Sequence, residues 1–425
     1  MGTNPDHKND TLRIYYPHPS LGNNDSVRCD QSIWSDIGAS GKLKHGDKVK
    51  PQYSVLVVGG GIGGMTLAHG LARAGMQVRV IESSQRTDQQ GTGIFLLGNS
   101  LRALDQLGLA DACIAAGTGW DTVSVRNDAG HETKVQRPPR TFRPDAPGAI
   151  GVMRPKLAEV LESHALAGGV RIDYRTTVED FEQIPGGVSY RLSSGETGRC
   201  DLLVAADGTY SKTRTKVFGA EYKPTYAGQG AWRFTVERLS SFDGFALYKH
   251  HDGRTVGCLP LSEALCYYFF LENSKEHQHF PEAELSTMFR QRLAGFSAPE
   301  LVEAMARCDG SRYVSYRPFD ILLMPAPWYK GRVALLGDAA HAVTPQLTSG
   351  GGMAIEDAVV LTEELSTCTG IDEALAAYSS RRFDRVRRIY DTSLAICQAE
   401  QDPHADGTRA VELLMEGYGL LAQPF

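Results

Sequence analysis

Two textures of apolar spacing run along this chain. From Tyr53 the run Val55-Leu56-Val57-Val58 has no polar interruption, as expected of a strand buried on both faces. Glycines follow, and then apolar residues recur at Leu67, Ala68, Leu71 and Ala72. That spacing predicts a helix over Met65–Ala74, with Gly75 as its natural stop. Val78-Arg79-Val80-Ile81 then predicts a second strand, so the segment reads as a right-handed βαβ unit.

From Trp120 the texture changes. Trp120–Val135 and Ala227–Phe270 carry alternating, aromatic-rich runs, which predict antiparallel strands of a second sheet. The stretch Tyr267-Tyr268-Phe269-Phe270 reads as core. Between these runs Met153–Ala167 is expected to be helical and Asp201–Ala206 to be a strand. Arg332–Leu336 is expected as another strand and Gly352–Leu365 as a helix. The first sheet is thus interrupted by the second and then resumed. Ile371–Gln398 is long and basic, and Arg381, Arg382, Arg385, Arg387 and Arg388 read as a solvated helix face. Residues 1–52 hold Pro17 and Pro19 but no sustained period, and are expected as an N-terminal extension.

Composition narrows the function classes. A net charge of −6 argues against general nucleic-acid binding, which needs a basic surface. No apolar run approaches membrane-spanning length. The eight cysteines form no C-x-x-C pair, so no zinc or thioredoxin-type motif is signalled, and scattered thiols point to a reducing, cytoplasmic setting.

Three motifs carry chemistry. Gly59, Gly61 and Gly64 form G-x-G-x-x-G, with Gly63 inside it. The first glycine permits a tight turn, the second admits a pyrophosphate, and the third lets helix and sheet pack closely. The helix N-terminus then faces the phosphates. Glu82 ends the second strand, where a carboxylate accepts ribose hydroxyl protons and disfavours a 2′-phosphate. The nucleotide is therefore FAD or NAD rather than NADP. In the second motif, the strand ending at Leu336 delivers Gly337 and Asp338, and Asp338 suits a polyol such as a ribityl chain. Pro345 and the turn Gly350-Gly351-Gly352 follow, whose N–H groups suit an anionic ring edge. The third motif, Asp207-Gly208, is by itself only a turn.

The ordered set resembles the class A FAD-dependent aromatic hydroxylases of the p-hydroxybenzoate hydroxylase type, over about residues 53–395. The resemblance implies an α/β fold. A Rossmann-like, three-layer ββα FAD-binding domain would comprise 53–119, 136–222 and 312–370. An antiparallel substrate-binding sheet would comprise 120–135 and 223–311, and a C-terminal helical segment 371–425. It assigns Asp207 and Gly208 to FAD and NAD(P)H binding. Arg154, in Met153-Arg154-Pro155-Lys156-Leu157, matches the family's flavin-contacting arginine, and Ser83 and Gly93 join the cofactor set. Arg233, in Trp232-Arg233, is the candidate catalytic residue, either anchoring substrate or held in a structural ion pair. Gly350–Gly352 replaces the family's G-x-G-x-N, so only backbone contacts carry over. His341 reads as satisfying a turn, and His250 and His251 are remote candidates for a catalytic base.

The activity implied is a monooxygenase. NADPH or NADH reduces FAD, and O2 adds to give a C4a-hydroperoxide that hydroxylates a small aromatic or heteroaromatic substrate. No metal is implied, and a monomer and a homodimer both remain open. Tetracycline-type and Baeyer–Villiger-type oxygenation share the motif set. A flavin-dependent reductase, a halogenase and a non-catalytic FAD module are the remaining alternatives. The halogenase segment W-x-W-x-I-P is absent.

Overall fold

The computed structural model describes residues 52–85, 92–239, 244–308, 314–402, 404 and 407–425. The extension expected over 1–52 lies outside them, apart from Gln52. The βαβ unit is present as strand Ser54–Val58, helix Ile62–Arg73 and strand Gln77–Glu82. Its two strands pair in parallel from Ser54↔Gln77 to Val58↔Ile81. They sit in a six-stranded sheet in the order Tyr329–Lys330, Val333–Leu335, Leu202–Ala205, Ser54–Val58, Gln77–Glu82, Arg171–Tyr174. Only the Tyr329–Lys330 edge runs antiparallel.

Alternation explains why the run Val55–Val58 lacks polar residues. Val55 and Val57 face the main core with Leu67, Leu71 and Val359. Leu56 and Val58 face a second core with Val188, Tyr190 and Leu192. Those last residues belong to an antiparallel sheet of Val178–Ile184, Gly187–Leu192 and Thr197–Cys200. Each strand is therefore covered on both faces, by helices on one side and a small sheet on the other.

The second sheet has seven strands. Their order is Val314–Leu323, Thr225–Glu237, Leu265–Asn273, Thr255–Pro260, Phe245–Lys249, Val123–Asn127, Glu132–Gln136. Three features depart from the sequence expectation. The sheet is mixed, because Val123–Asn127 pairs in parallel with Phe245–Lys249. A strand supplied from a distant part of the chain escapes the hairpin geometry that enforces antiparallel pairing. Val314–Leu323, expected with the first sheet, pairs with Thr225–Glu237 instead. Trp120 lies in a separate small sheet, Thr118–Trp120 with Ala149–Met153 and Gly93–Leu97.

One face of the seven-stranded sheet buries Trp232, Phe234, Tyr268 and Phe270 against Phe289 and Leu301 of helices Glu282–Arg292 and Pro299–Ala306. Alternation turns Arg233, Tyr267 and Phe269 to the opposite face. The four-aromatic run expected to be uniform core is thus divided between two environments.

The basic C-terminal stretch is helix Ile371–Gln401, followed by Thr408–Ala422. Arg381, Arg387 and Arg388 are exposed, as expected of a solvated face. Arg382 is not, for it is fully buried. It pairs with Glu356 at 2.9 Å and Asp357 at 2.7 Å, and half-buried Arg385 binds both oxygens of Glu356 at 2.9 Å. The acids that call these arginines inward lie on another helix, Gly350–Thr367, which the local pattern of the basic helix does not register. Arg385 and Arg102 also donate to the carbonyls of Leu420 and Ala422, closing the C-terminal end of the last helix.

Removing Arg382 leaves Asp357 and Glu356 buried and undercompensated. Arg382→Ala is expected to lower the unfolding free energy by about 3–5 kcal/mol. Arg388→Ala, on the solvated face, should stay within about 0.5 kcal/mol of the parent. Urea denaturation of the two variants in parallel measures the difference.

Candidate active site

The first glycine turn is built by close backbone approach. Gly59 has φ +109°, and a Cβ there would lie 2.3 Å from the Ala206 carbonyl oxygen. A Cβ on Gly64 would fall 2.0 Å from the Gly59 oxygen, so only glycine lets the helix sit this near the strand end. Gly63 is closed in by Leu336 and Ala354. Gly61 is different, since a Cβ there would meet nothing within 4 Å. Gly61 is also the N-cap of Ile62–Arg73, which has no side-chain cap and no acid in its first turn. The helix's free N–H groups therefore open onto unfilled space, an anion site in form. Glu82 stands beside it. One carboxylate oxygen accepts the Gly60 N–H at 2.7 Å, and the other accepts the Ser84 N–H at 2.8 Å and the hydroxyl of exposed Ser83 at 3.2 Å. Lone pairs remain on both oxygens for ribose hydroxyls.

The second segment lies at the end of strand Val333–Leu335. Gly337, at φ +62°, leads into the short helix Asp338–His341. Asp338 opens into a cleft yet is crowded by protein. The surrounding protein pushes its carboxyl above the ordinary range, while His341 and Arg154 pull the other way. Asp207 lies opposite. Its Oδ2 accepts the Thr213 N–H at 3.2 Å and hydroxyl at 3.0 Å. Its Oδ1 is enclosed, with no hydrogen-bond partner among the described residues. Gly208 takes φ +80°.

Two groups that sequence motifs did not flag hold these segments together. Arg214 is buried, and its guanidinium donates to the carbonyls of Thr209 at 2.8 Å, Tyr222 at 3.0 Å and Ala339 at 3.0 Å. It ties the segment after Gly208 to the segment after Asp338. Asp357 accepts the Gly337 N–H at 3.0 Å and lies 2.6 Å from His341 Nε2. His341 thus serves a buried ion pair as well as its turn. Burial alone would raise the Asp357 carboxyl, but His341 and Arg382 hold it down at about 2. No local motif announces either residue, because the partners of Arg214 are backbone carbonyls and those of Asp357 are distant in sequence.

The third segment begins at Pro345, which starts a short 3-10 turn to Leu347. Gly350 and Gly351 are accessible at the start of the 18-residue helix Gly350–Thr367. That helix too has no side-chain cap and no acid in its first turn. Ser349 Oγ, at its threshold, is buried without a partner among the described residues. Gly352 leaves room for Ser100, whose Oγ would lie 2.4 Å from a Cβ.

Arg154 starts helix Arg154–Ala167 and forms no side-chain hydrogen bond or ion pair among the described residues. Its side chain is exposed on the cleft; desolvation by the cleft walls lowers its affinity for the proton, neighbouring Arg233 lowers it further, and Tyr267 and Asp338 oppose them. Arg154 therefore shares one cleft with Arg233, Tyr267 and Asp338. Arg233 is half-buried on the free face of the second sheet. Gly93 packs against the second sheet, where a Cβ would meet Leu261 at 2.6 Å and Tyr267 at 3.1 Å. It lets strand Gly93–Leu97 lie against the second sheet.

The donors and acceptors suit an extended flavin dinucleotide. Two uncapped helix N-termini offer N–H groups to anions, and Glu82 and Asp338 offer acceptors to hydroxyls. A family model described as an FAD binding domain matches residues 52–393. The chain belongs to the class A FAD-dependent aromatic hydroxylases. Among its relatives, a putative FAD-dependent monooxygenase of Bacillus subtilis, YetM, is 30% identical over 375 residues, covering 87% of this chain and 99% of that one. An aurachin C monooxygenase/isomerase of Stigmatella aurantiaca is 32% identical over 376 residues, covering 86% and 94%. Among solved structures, a variant of Klebsiella pneumoniae HpxO complexed with FAD superposes with a TM-score of 0.74 at 25% identity, covering 88% and 95%. Like other members of this family, the chain is an FAD-dependent oxidoreductase. No helix among its described residues is long and apolar enough to cross a membrane.

Two expectations follow. Asp338→Ala removes a charged acceptor from the cleft and should weaken FAD binding roughly 10- to 100-fold, from about 1.5–3 kcal/mol. Titration of the apoprotein by flavin fluorescence measures it. Asp357 has a folded-state pKa below its unfolded value, so its contribution to stability is complete above about pH 4 and is lost as pH falls through about 2. Asp357→Asn should lower stability at neutral pH and flatten the acid limb between those limits, read from denaturation curves at stepped pH.

Proposed function

We propose that this chain is a single-component monooxygenase that uses NAD(P)H and O2 to hydroxylate an aromatic or heteroaromatic ring. The observation that carries this reading is the composition of the cleft between the two sheets. Phe95, Phe245 and Phe269 are half-buried there and meet edge to face or tilted, with ring centroids 5.5–5.7 Å apart for Phe95–Phe245 and Phe95–Phe269. Tyr267 joins them at 5.8 Å from Phe95. The Phe269 ring lies over Gly257, where a Cβ would come within 2.0 Å, so it lies flat on the sheet. Such walls suit a flat apolar ring. Arg154 and Arg233 add positive charge, and neither forms an ion pair among the described residues.

Bound FAD supplies the redox chemistry, reduction by NAD(P)H followed by activation of dioxygen. The residues assigned to its adenosine and pyrophosphate end are Gly59, Gly61, Gly63, Gly64, Glu82 and Ser83. Asp207, Gly208, Asp338, Pro345, Arg154 and Gly350–Gly352 are assigned to the ribityl chain and ring. The protein's own part is positioning and exclusion. The aromatic walls hold the substrate ring and keep out water that would intercept the activated oxygen. Arg233 holds an anionic group of the substrate, favouring a deprotonated, electron-rich ring. A hydroxylated product retains the substrate skeleton plus one oxygen atom, which separates this reading from Baeyer–Villiger insertion with ring expansion.

A panel of phenols and nitrogen heteroaromatics, assayed for NAD(P)H consumption and for incorporation of labelled O2, tests the proposal. At least one compound should stimulate consumption and gain one labelled oxygen; if none does, the reading fails. For such a substrate bearing an anionic group, Arg233→Met should raise KM roughly 10- to 100-fold, from about 1.5–3 kcal/mol, and leave FAD content unchanged.

A further inference from the structure

We propose that Asp128, His250 and His251 form a binding site for a divalent transition-metal ion, zinc by donor type, that joins two turns at the outer end of the seven-stranded sheet. The three side chains come from two connections. Asp128 lies in the turn between strands Val123–Asn127 and Glu132–Gln136, and the histidines lie between Phe245–Lys249 and Thr255–Pro260. One oxygen of Asp128 is 4.0 Å from His250 Nε2 and 3.4 Å from His251 Nδ1, and all three donor atoms lie within 4.8 Å of one another. Donor atoms on a tetrahedral zinc with bonds of about 2.0–2.1 Å sit about 3.3 Å apart. His251 is the exposed member, with 79% of its side chain accessible, and is free to close the remaining distance.

The surroundings of His250 give the stronger argument. Its Nδ1 is 2.8 Å from Asp252 Oδ1. Nδ1 also takes the Asp252 N–H at 3.4 Å, so Nε2 is the ring nitrogen turned towards Asp128. A histidine whose far nitrogen donates to a carboxylate is the usual arrangement behind a metal ligand. Arg254 completes that outer layer. It donates to Asp252 Oδ2 at 2.8 Å and to the Arg292 carbonyl, and its Nη2 lies 3.3 Å from His250 Nδ1.

A separate feature keeps the Nε2 side open. Gly295 has φ +100°, and a Cβ there would lie 2.9 Å from His250 Nε2. The backbone beside it also fixes Asp128, whose carbonyl accepts the N–H groups of Ser297 and Ala298, each at 2.8 Å. An ion here holds the two turns and the 295–298 segment as one unit. Phe245, at the other end of its strand, reaches the aromatic cleft, so the role is structural and none of the three ligands touches the cleft residues described above.

The test is zinc titration of the full-length protein after chelator treatment, in competition with a chromophoric chelator. The parent should bind one equivalent with micromolar or tighter affinity. Affinity should fall at least tenfold in His251→Ala and in Asp128→Asn, and zinc should raise the melting temperature of the parent but of neither variant. His251→Ala removes an exposed side chain, so its fold is checked by circular dichroism and its FAD content should match the parent. Failure of the parent to bind zinc at about 100 μM overturns the proposal. So does binding that both variants retain in full, which would place the ion at other histidines.

Discussion

The cleft depends on a buried ion pair that touches no ligand. Asp357 and Arg382 meet at 2.7 Å with neither side chain exposed. Two charges in such a place are costly to bury unless they are paired and hydrogen-bonded. Asp357 uses its second oxygen on the Gly337 N–H and on His341. That fixes the left-handed turn at Gly337 and hence where Asp338 enters the cleft. Arg382 uses its second arm on Glu356, which in turn binds Asn99 and Arg385. Asn99 begins the segment packed against Gly352. One charge network therefore sets both the Asp338 carboxylate and the second uncapped helix.

Such a network explains how a helix N-terminus stays uncapped. A terminal turn with no capping side chain is weak by itself. Here the helix Gly350–Thr367 is anchored through its own acids to Arg382 and Arg385, nearly two turns beyond its start. The first N–H groups are thereby left for an external anion instead of an internal cap. The first helix achieves the same end by packing, with Gly63 and Gly64 pressed against Ala354 and the Gly59 carbonyl.

How much of this was legible in the sequence follows from the range of each interaction. Strand Ser54–Val58, helix Ile62–Arg73 and strand Gln77–Glu82 are specified by neighbours a few positions apart, and the glycine spacing marks them. The turns at Gly59, Asp207-Gly208 and Gly337 were legible for the same reason, since each follows the end of an apolar strand. Arg382 was not, because its burial is decided by Asp357 and Glu356 on a different helix, and the same spacing that suggests a solvated face also fits one that docks. Arg214 was invisible because its three partners are backbone carbonyls, which leave no residue-type signature. The parallel pairing of Val123–Asn127 with Phe245–Lys249 joins segments more than a hundred residues apart, and local alternation carries no information about it.

The aromatic run Tyr267–Phe270 shows where local reading meets its limit and also what the chain gains from alternation. Period two sends Tyr268 and Phe270 to one face and Tyr267 and Phe269 to the other. The first pair, with Trp232 and Phe234, locks the sheet onto helices Glu282–Arg292 and Pro299–Ala306. The sheet is therefore stable without its other face, which is left for the cleft. That separation matters for specificity. A residue such as Phe269 or Arg233 can change while the packing behind it is kept by Tyr268, Phe270 and Phe234. The cofactor side has no such freedom, because Gly59, Gly64 and Gly337 are held by contacts or dihedral angles that a side chain would violate. A chain built this way can keep one flavin site and present it with different rings.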